Sequence, residues 1–173
     1  MKKVIIIITS VVVGLFILIR IPINLQSNAY YYATHMPHKS NQYPFIPVLL
    51  GHWLPESYTP GYETRNTGST RGPLKIRLTK ENLQRKGDVL EIDEYSAVYS
   101  LNRSDQMTED NYGLYFSNNG NVEEEIQKNM PNYSRKLIYD ELNKIQNGIK
   151  QNTPKPKVNL QWIWNVWFKI HYR

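Results

Sequence analysis

The chain has 173 residues, no cysteine, and 21 basic against 15 acidic side chains, a net charge of +6. The missing cysteines exclude a disulfide framework and any thiolate metal site. Setting aside Lys2, Lys3 and Arg20 at the apolar N-terminus leaves 18 basic and 15 acidic side chains, so the body is only mildly basic and does not read as a nucleic-acid binder.

Residues 1–23 open with Met1-Lys2-Lys3 and continue as an uncharged run from Val4 to Ile19, apolar apart from Thr9-Ser10, then Arg20 and Ile21-Pro22-Ile23. As a helix, Val4–Ile23 is ~30 Å long, about the thickness of a bilayer core. Arg20 falls near one end, where a long side chain reaches the headgroups. The leading reading is a retained transmembrane signal anchor. The alternative is a cleaved signal peptide, for which Ser27-Asn28-Ala29 offers a small-x-small site before Tyr30. Lys2 and Lys3 favour a cytoplasmic N-terminus under both readings, which makes the body extracytoplasmic.

Residues 24–42 are polar and tyrosine-rich (Tyr30, Tyr31, Tyr32) without a helical or strand period, and read as a tether or an interfacial aromatic collar. Residues 43–173 read as one extracytoplasmic α+β domain. Pro44, Pro47 and Pro55 limit the apolar stretch at its start to a short edge strand over Val48–Leu54. Residues 60–73 carry turn chemistry and read as loop.

Leu74–Leu78 and Leu90–Asp93 alternate apolar and charged residues. Folded antiparallel about residue 84, they set Ile76 against Ile92, Leu78 against Leu90, Arg77 against Glu91 and Lys75 against Asp93. One register thus satisfies an apolar face and a charged face together. The hairpin loop runs Lys80–Gly87, and Tyr95–Leu101 is expected to continue the second strand beyond a bulge at Glu94–Tyr95. A strand over Tyr112–Ser117 ends at the turn signal Asn118-Asn119-Gly120. Asn121 then reads as the cap of a short helix from Val122, stopped by Pro131. A longer helix over Ser134–Asn147 puts Leu137, Ile138, Leu142 and Ile145 on one stripe, with Gly148 as its C-cap.

The last stretch, Val158–Arg173, is apolar at every even position, and its β-branched and aromatic content favours a strand, bent near Trp167. In a helix, Leu160, Trp164, Trp167 and His171 gather on one side instead. The strand reading buries Trp162, Trp164, Val166 and Phe168 and leaves Trp167 and Ile163 among polar neighbours. Trp167 and Ile163 are therefore the candidate partner-binding residues, since an apolar anchor in a polar setting marks the centre of an interface.

His35 and His38 have a two-residue gap seen in some metal pairs, which His52 or His171 could join in space, but Pro37 spoils a helical placement and no metal site is assigned. Glu91, Asp93 and Glu94 are candidates for a hydrolytic carboxylate pair, yet the hairpin register already matches two of them with cations. No nucleophile elbow, Walker loop or dinucleotide fingerprint occurs, so neither a catalytic activity nor a cofactor is expected.

Gly51-His52-Trp53 resembles the Gly-x-Trp that opens lipocalin-type barrels. The resemblance implies an eight-stranded barrel carrying a small apolar ligand. Only four or five strands are readable here, so the carrier is the runner-up function. The leading expectation is a membrane-anchored interaction protein of the cell envelope, an assembly factor or immunity-type inhibitor with a protein partner. Its fold is α+β: a membrane helix, then a mixed or antiparallel sheet packed on one or two helices.

Overall fold

The computed structural model describes residues 2–66, 74–78, 89–93, 95–101, 110–125 and 130–172. An apolar helix α1 (Lys2–Ser27) passes at Asn28 into a short helix α2 (Ala29–His35). Two 3-10 turns (Pro47–Leu50 and Glu56–Tyr58) lead into six strands: β1 (Tyr62–Asn66), β2 (Leu74–Leu78), β3 (Val89–Ile92), β4 (Ser96–Leu101), β5 (Asp110–Phe116) and β6 (Val122–Glu125). Helices α3 (Asn132–Asn152) and α4 (Gln161–His171) follow. The sheet is an antiparallel meander in sequence order, each strand pairing with the next.

The expected register of the central hairpin is the one found, with Ile76 opposite Ile92 and Arg77 opposite Glu91. Arg77 Nε lies 3.3 Å from Glu91 Oε1 on the half-exposed face. On the other face Ile76, Ile92, Ala97 and Leu114 form one row across four strands, all buried. Leu90 and Tyr99 form the next row. This alternation is what a sheet with one face covered requires. The cover is α3, which buries Ser134, Ile138, Glu141, Leu142, Ile145 and Ile149 at helical spacing. The expected hairpin loop Lys80–Gly87 lies outside the described residues.

Several local expectations are corrected. Tyr95–Leu101 does not continue β3. The chain reverses at Asp93, whose Oδ1 accepts the backbone N–H groups of Tyr95 and Ser96, both at 2.8 Å, and β4 returns antiparallel with Ala97 opposite Ile92. The proposed bulge residue Glu94 lies outside the described residues. Val122–Glu125 is strand β6 and not the start of a helix. The Asn118–Gly120 turn folds this segment back on β5, and that pairing overrides the helix propensity of three glutamates. Gly120 has φ +76°, and a Cβ there would sit 2.3 Å from the Tyr43 carbonyl oxygen, so the turn admits glycine alone.

Val48–Leu54 forms no strand, because Pro47 seeds a 3-10 turn and the chain then runs irregularly to Pro55. Part of the expected loop is strand: Tyr62–Asn66 pairs along the edge of β2. Helix α3 runs on past Asn147 to Asn152, with Gly148 inside it. A Cβ at Gly148 would press to 3.3 Å from the Tyr58 carbonyl oxygen, so close approach of the second 3-10 turn explains this glycine. Two ion pairs join a basic block of the sequence to the acidic one: Arg77 to Glu91, and Arg135 Nε to Glu125 Oε1 at 2.7 Å. Complementary charge on neighbouring elements therefore accounts for part of the block pattern.

The largest corrections lie at the two ends. Residues 29–35 form α2, with Ala29, Tyr30, Tyr32, Ala33 and Thr34 buried in the core, in place of a free tether. Val158–Arg173 is not a strand; α4 is a helix that buries Trp164 and Phe168 and exposes Trp162, Val166 and Ile170.

Candidate functional site

Along the apolar run of α1 the described large side chains, Val4–Ile8, Val11–Val13, Leu15, Phe16, Leu18 and Ile19, are each more than half exposed. At 26 residues the helix is ~39 Å long, sufficient to cross a bilayer core. Its last turns are different. Leu25 is buried, and Ile21 packs against the domain core.

Tyr32 ties this junction together. Its ring is fully buried and lies 5.7 Å from Trp164 in a stacked arrangement. Its hydroxyl donates to Asn24 Oδ1 of α1 at 2.6 Å and accepts the backbone N–H of Leu160 at 3.1 Å. Asn24 Nδ2 in turn donates to the Val158 carbonyl at 3.2 Å, and Gln161 Nε2 to the Tyr32 carbonyl at 2.9 Å. One phenol thus connects the end of α1, the segment before α4, and α4 itself. Desolvation by burial raises the Tyr32 pKa, while the N–H of Leu160 opposes it. Nearby, Tyr30 donates to the His52 carbonyl at 2.7 Å, and burial holds its phenol well above the usual tyrosine range.

Helix α4 presents three faces around this anchor. Trp164 and Phe168 point into the core. Ile163 and Trp167, the residues singled out from the sequence, are half-buried and line a groove of about 980 Å³. Opposite them stand Ile21, Pro22 and Leu25 of α1, with Leu50 and His52 closing one side. Trp167 is packed between aromatic neighbours, with its ring 4.8 Å from Trp164 and 4.8 Å from His171. The outward ridge is Trp162, Val166 and Ile170, one helical turn apart and 71%, 54% and 65% exposed. The strand reading places Trp162 and Val166 in the core. The i, i+4, i+8 spacing of the ridge is the signal that identifies it.

The histidines and carboxylates noted in the sequence make local contacts. His35 stacks on Tyr31 at 4.0 Å and bonds its carbonyl through Nδ1 at 2.8 Å. His38 Nε2 meets Gln146 Nε2 at 3.2 Å, and His171 stacks on Trp167. His52 lines the groove, where burial lowers its pKa. Among the described residues no three His, Asp or Glu side chains converge on one point. Glu91 is held by Arg77 and Asp93 caps the turn into β4. Gly51–Trp53 lies on no strand, and Trp53 is 55% exposed, so it does not close a barrel base.

Comparison of the chain with protein-family models, curated proteins and solved structures found no match.

Proposed function

We propose that this is a single-pass membrane protein with its N-terminus in the cytoplasm. Its extracytoplasmic α+β domain acts as an interaction module of the cell envelope, an assembly factor or immunity-type inhibitor. The partner is a protein that docks on α4, over the ridge Trp162, Val166 and Ile170, with Ile163 and Trp167 supplying the adjoining groove.

The observation that carries the reading is that ridge. Three large apolar side chains, each more than half exposed, stand one turn apart on a helix whose other face is firmly packed. Leaving them in water forgoes burial free energy of about 1.5–3 kcal/mol for a large apolar side chain, and tryptophan is enriched among residues that dominate interfaces. Retention of α1 is supported by the junction. Cleavage after Ala29 would take Leu25 and Ala29 out of the core and remove Asn24, which bonds the Tyr32 hydroxyl and the Val158 carbonyl. Lys2 and Lys3 support the orientation.

The test is site-specific photo-crosslinking in cells that express the full chain, with the probe at Val166 and, as a control, at Glu123 on the exposed side of β6. A discrete protein adduct formed from Val166 and absent from Glu123, and lost when Trp162 is changed to Glu, is the expected result. Equal labelling from both positions, or none from Val166, refutes the docking surface. Protease accessibility of the domain in intact and broken cells checks the orientation separately.

A further inference from the structure

On the other side of the α1 junction lies a second cleft of about 710 Å³, lined by α1 residues between Phe16 and Ser27, by Asn28 and by residues between Lys155 and Leu160. Its walls include Phe16, Ile23 and Val158, and its charged groups are Arg20, Lys155 and Lys157. No acidic side chain lines it, and among the described residues none of the three cations has an acidic partner. The Arg20 guanidinium lies over the Phe16 ring at 4.8 Å.

The placement of these cations is built into the fold. Pro156 is buried, while Lys155 and Lys157 on either side of it are exposed. The segment is pinned to α1 just beyond, where the Val158 carbonyl accepts Asn24 Nδ2 at 3.2 Å and the Leu160 N–H reaches Tyr32. Arg20 precedes Asn24 by one helical turn, about 6 Å along the axis, and it ends the uncharged run of α1. With α1 in a bilayer, three unpaired cations therefore meet apolar walls at the depth of the lipid headgroups.

We infer that this cleft binds an anionic glycerophospholipid, its phosphate between Arg20 and Lys155–Lys157 and an acyl chain running along α1 past Phe16. The inference rests on α1 being a retained membrane span. Charge complementarity selects the anion. Continuity of the apolar walls with the exposed surface of α1 selects a lipid over a soluble phosphate.

The experiment uses the full chain in detergent micelles, titrated with dioleoyl phosphatidylglycerol or dioleoyl phosphatidylcholine and read by native mass spectrometry. The expected result is one tightly held phosphatidylglycerol and weaker phosphatidylcholine binding. Removing both lysines (K155Q/K157Q) lowers the phosphatidylglycerol affinity by about 25-fold, about fivefold for each cation. Both lysines are exposed, so the variant keeps its fold. Lys39→Gln, an exposed cation outside the cleft, leaves the affinity unchanged. The proposal is overturned if the double variant keeps the wild-type preference, or if K39Q weakens binding as much as a single cleft lysine does. It is equally overturned if glycerol 3-phosphate displaces the lipid at matched concentration, which marks a soluble-anion site. An intact mass beginning at Tyr30 in protein taken from cells refutes the retained anchor itself. A full-length mass without lipid preference refutes the cleft alone.

Discussion

Tyr32→Phe isolates the junction between the apolar helix and the domain. The substitution keeps the buried ring and its stacking on Trp164 and removes only the hydroxyl. That hydroxyl donates to Asn24 Oδ1 and accepts from the Leu160 N–H. Without it, the Leu160 donor is left unpaired in a part-buried site, at about 1–2 kcal/mol, within the range for an unsatisfied buried group. Asn24 keeps its bond to the Val158 carbonyl and is half-exposed, so loss of its other contact adds about 0.5–1 kcal/mol. The total, about 1.5–3 kcal/mol, corresponds to a fall in Tm of about 3–12 °C for a chain of this size. The assay is thermal unfolding of the full chain in micelles, followed by tryptophan fluorescence, since Trp164 reports on the same contact. Tyr31→Phe is the control, because its ring stacks on His35 and its hydroxyl makes no hydrogen bond among the described residues. A Tyr32→Phe variant within about 0.5 kcal/mol of the parent, and no worse than the control, refutes the account of Tyr32 as the tie.

Three further outcomes are expected. Trp164→Ala removes a fully buried ring and costs about 3–5 kcal/mol, whereas Trp162→Ala changes stability by less than about 0.5 kcal/mol; chemical denaturation of the two variants compares them directly. Arg77→Glu costs about 0.5–1 kcal/mol for a half-exposed cross-strand pair, and adding Glu91→Arg recovers much of it in a double-mutant cycle; strict additivity contradicts the pairing. Tyr30, Tyr43 and Tyr62 all have raised pKa values, chiefly through desolvation. In the unfolded chain they ionise near pH 10, while in the folded chain they remain neutral to higher pH, so the folded state binds more protons in that window. Stability is then full below about pH 10 and falls as pH rises above it. Circular dichroism across pH 9–12 shows the loss, and Tyr62→Phe makes it shallower.

Where a segment's local pattern and its long-range partner agree, the sequence was enough. The β2–β3 register follows from the alternation of Leu74–Leu78 and Leu90–Asp93, because a one-residue slip would expose Ile76 and Ile92 and bury Arg77 and Glu91. The turn at Asn118–Gly120 and the buried stripe of α3 were legible for the same reason, as was α1, whose apolar length needs no partner to declare itself. Tertiary contact decided the rest. The tyrosines of α2 look like a tether or an aromatic collar until the hydroxyl of Tyr32 finds Asn24 and Leu160, residues 8 and 128 positions away. The glutamates of β6 became strand only because β5 was there to pair with. In α4 the strand reading failed through the very residues proposed to bind. Trp162, Val166 and Ile170 are apolar but unburied, and together with the buried Trp164 and Phe168 they make every second position apolar, a pattern that mimics a strand. Periodicity reports secondary structure only when apolar means buried, and a surface kept apolar while exposed breaks that equivalence.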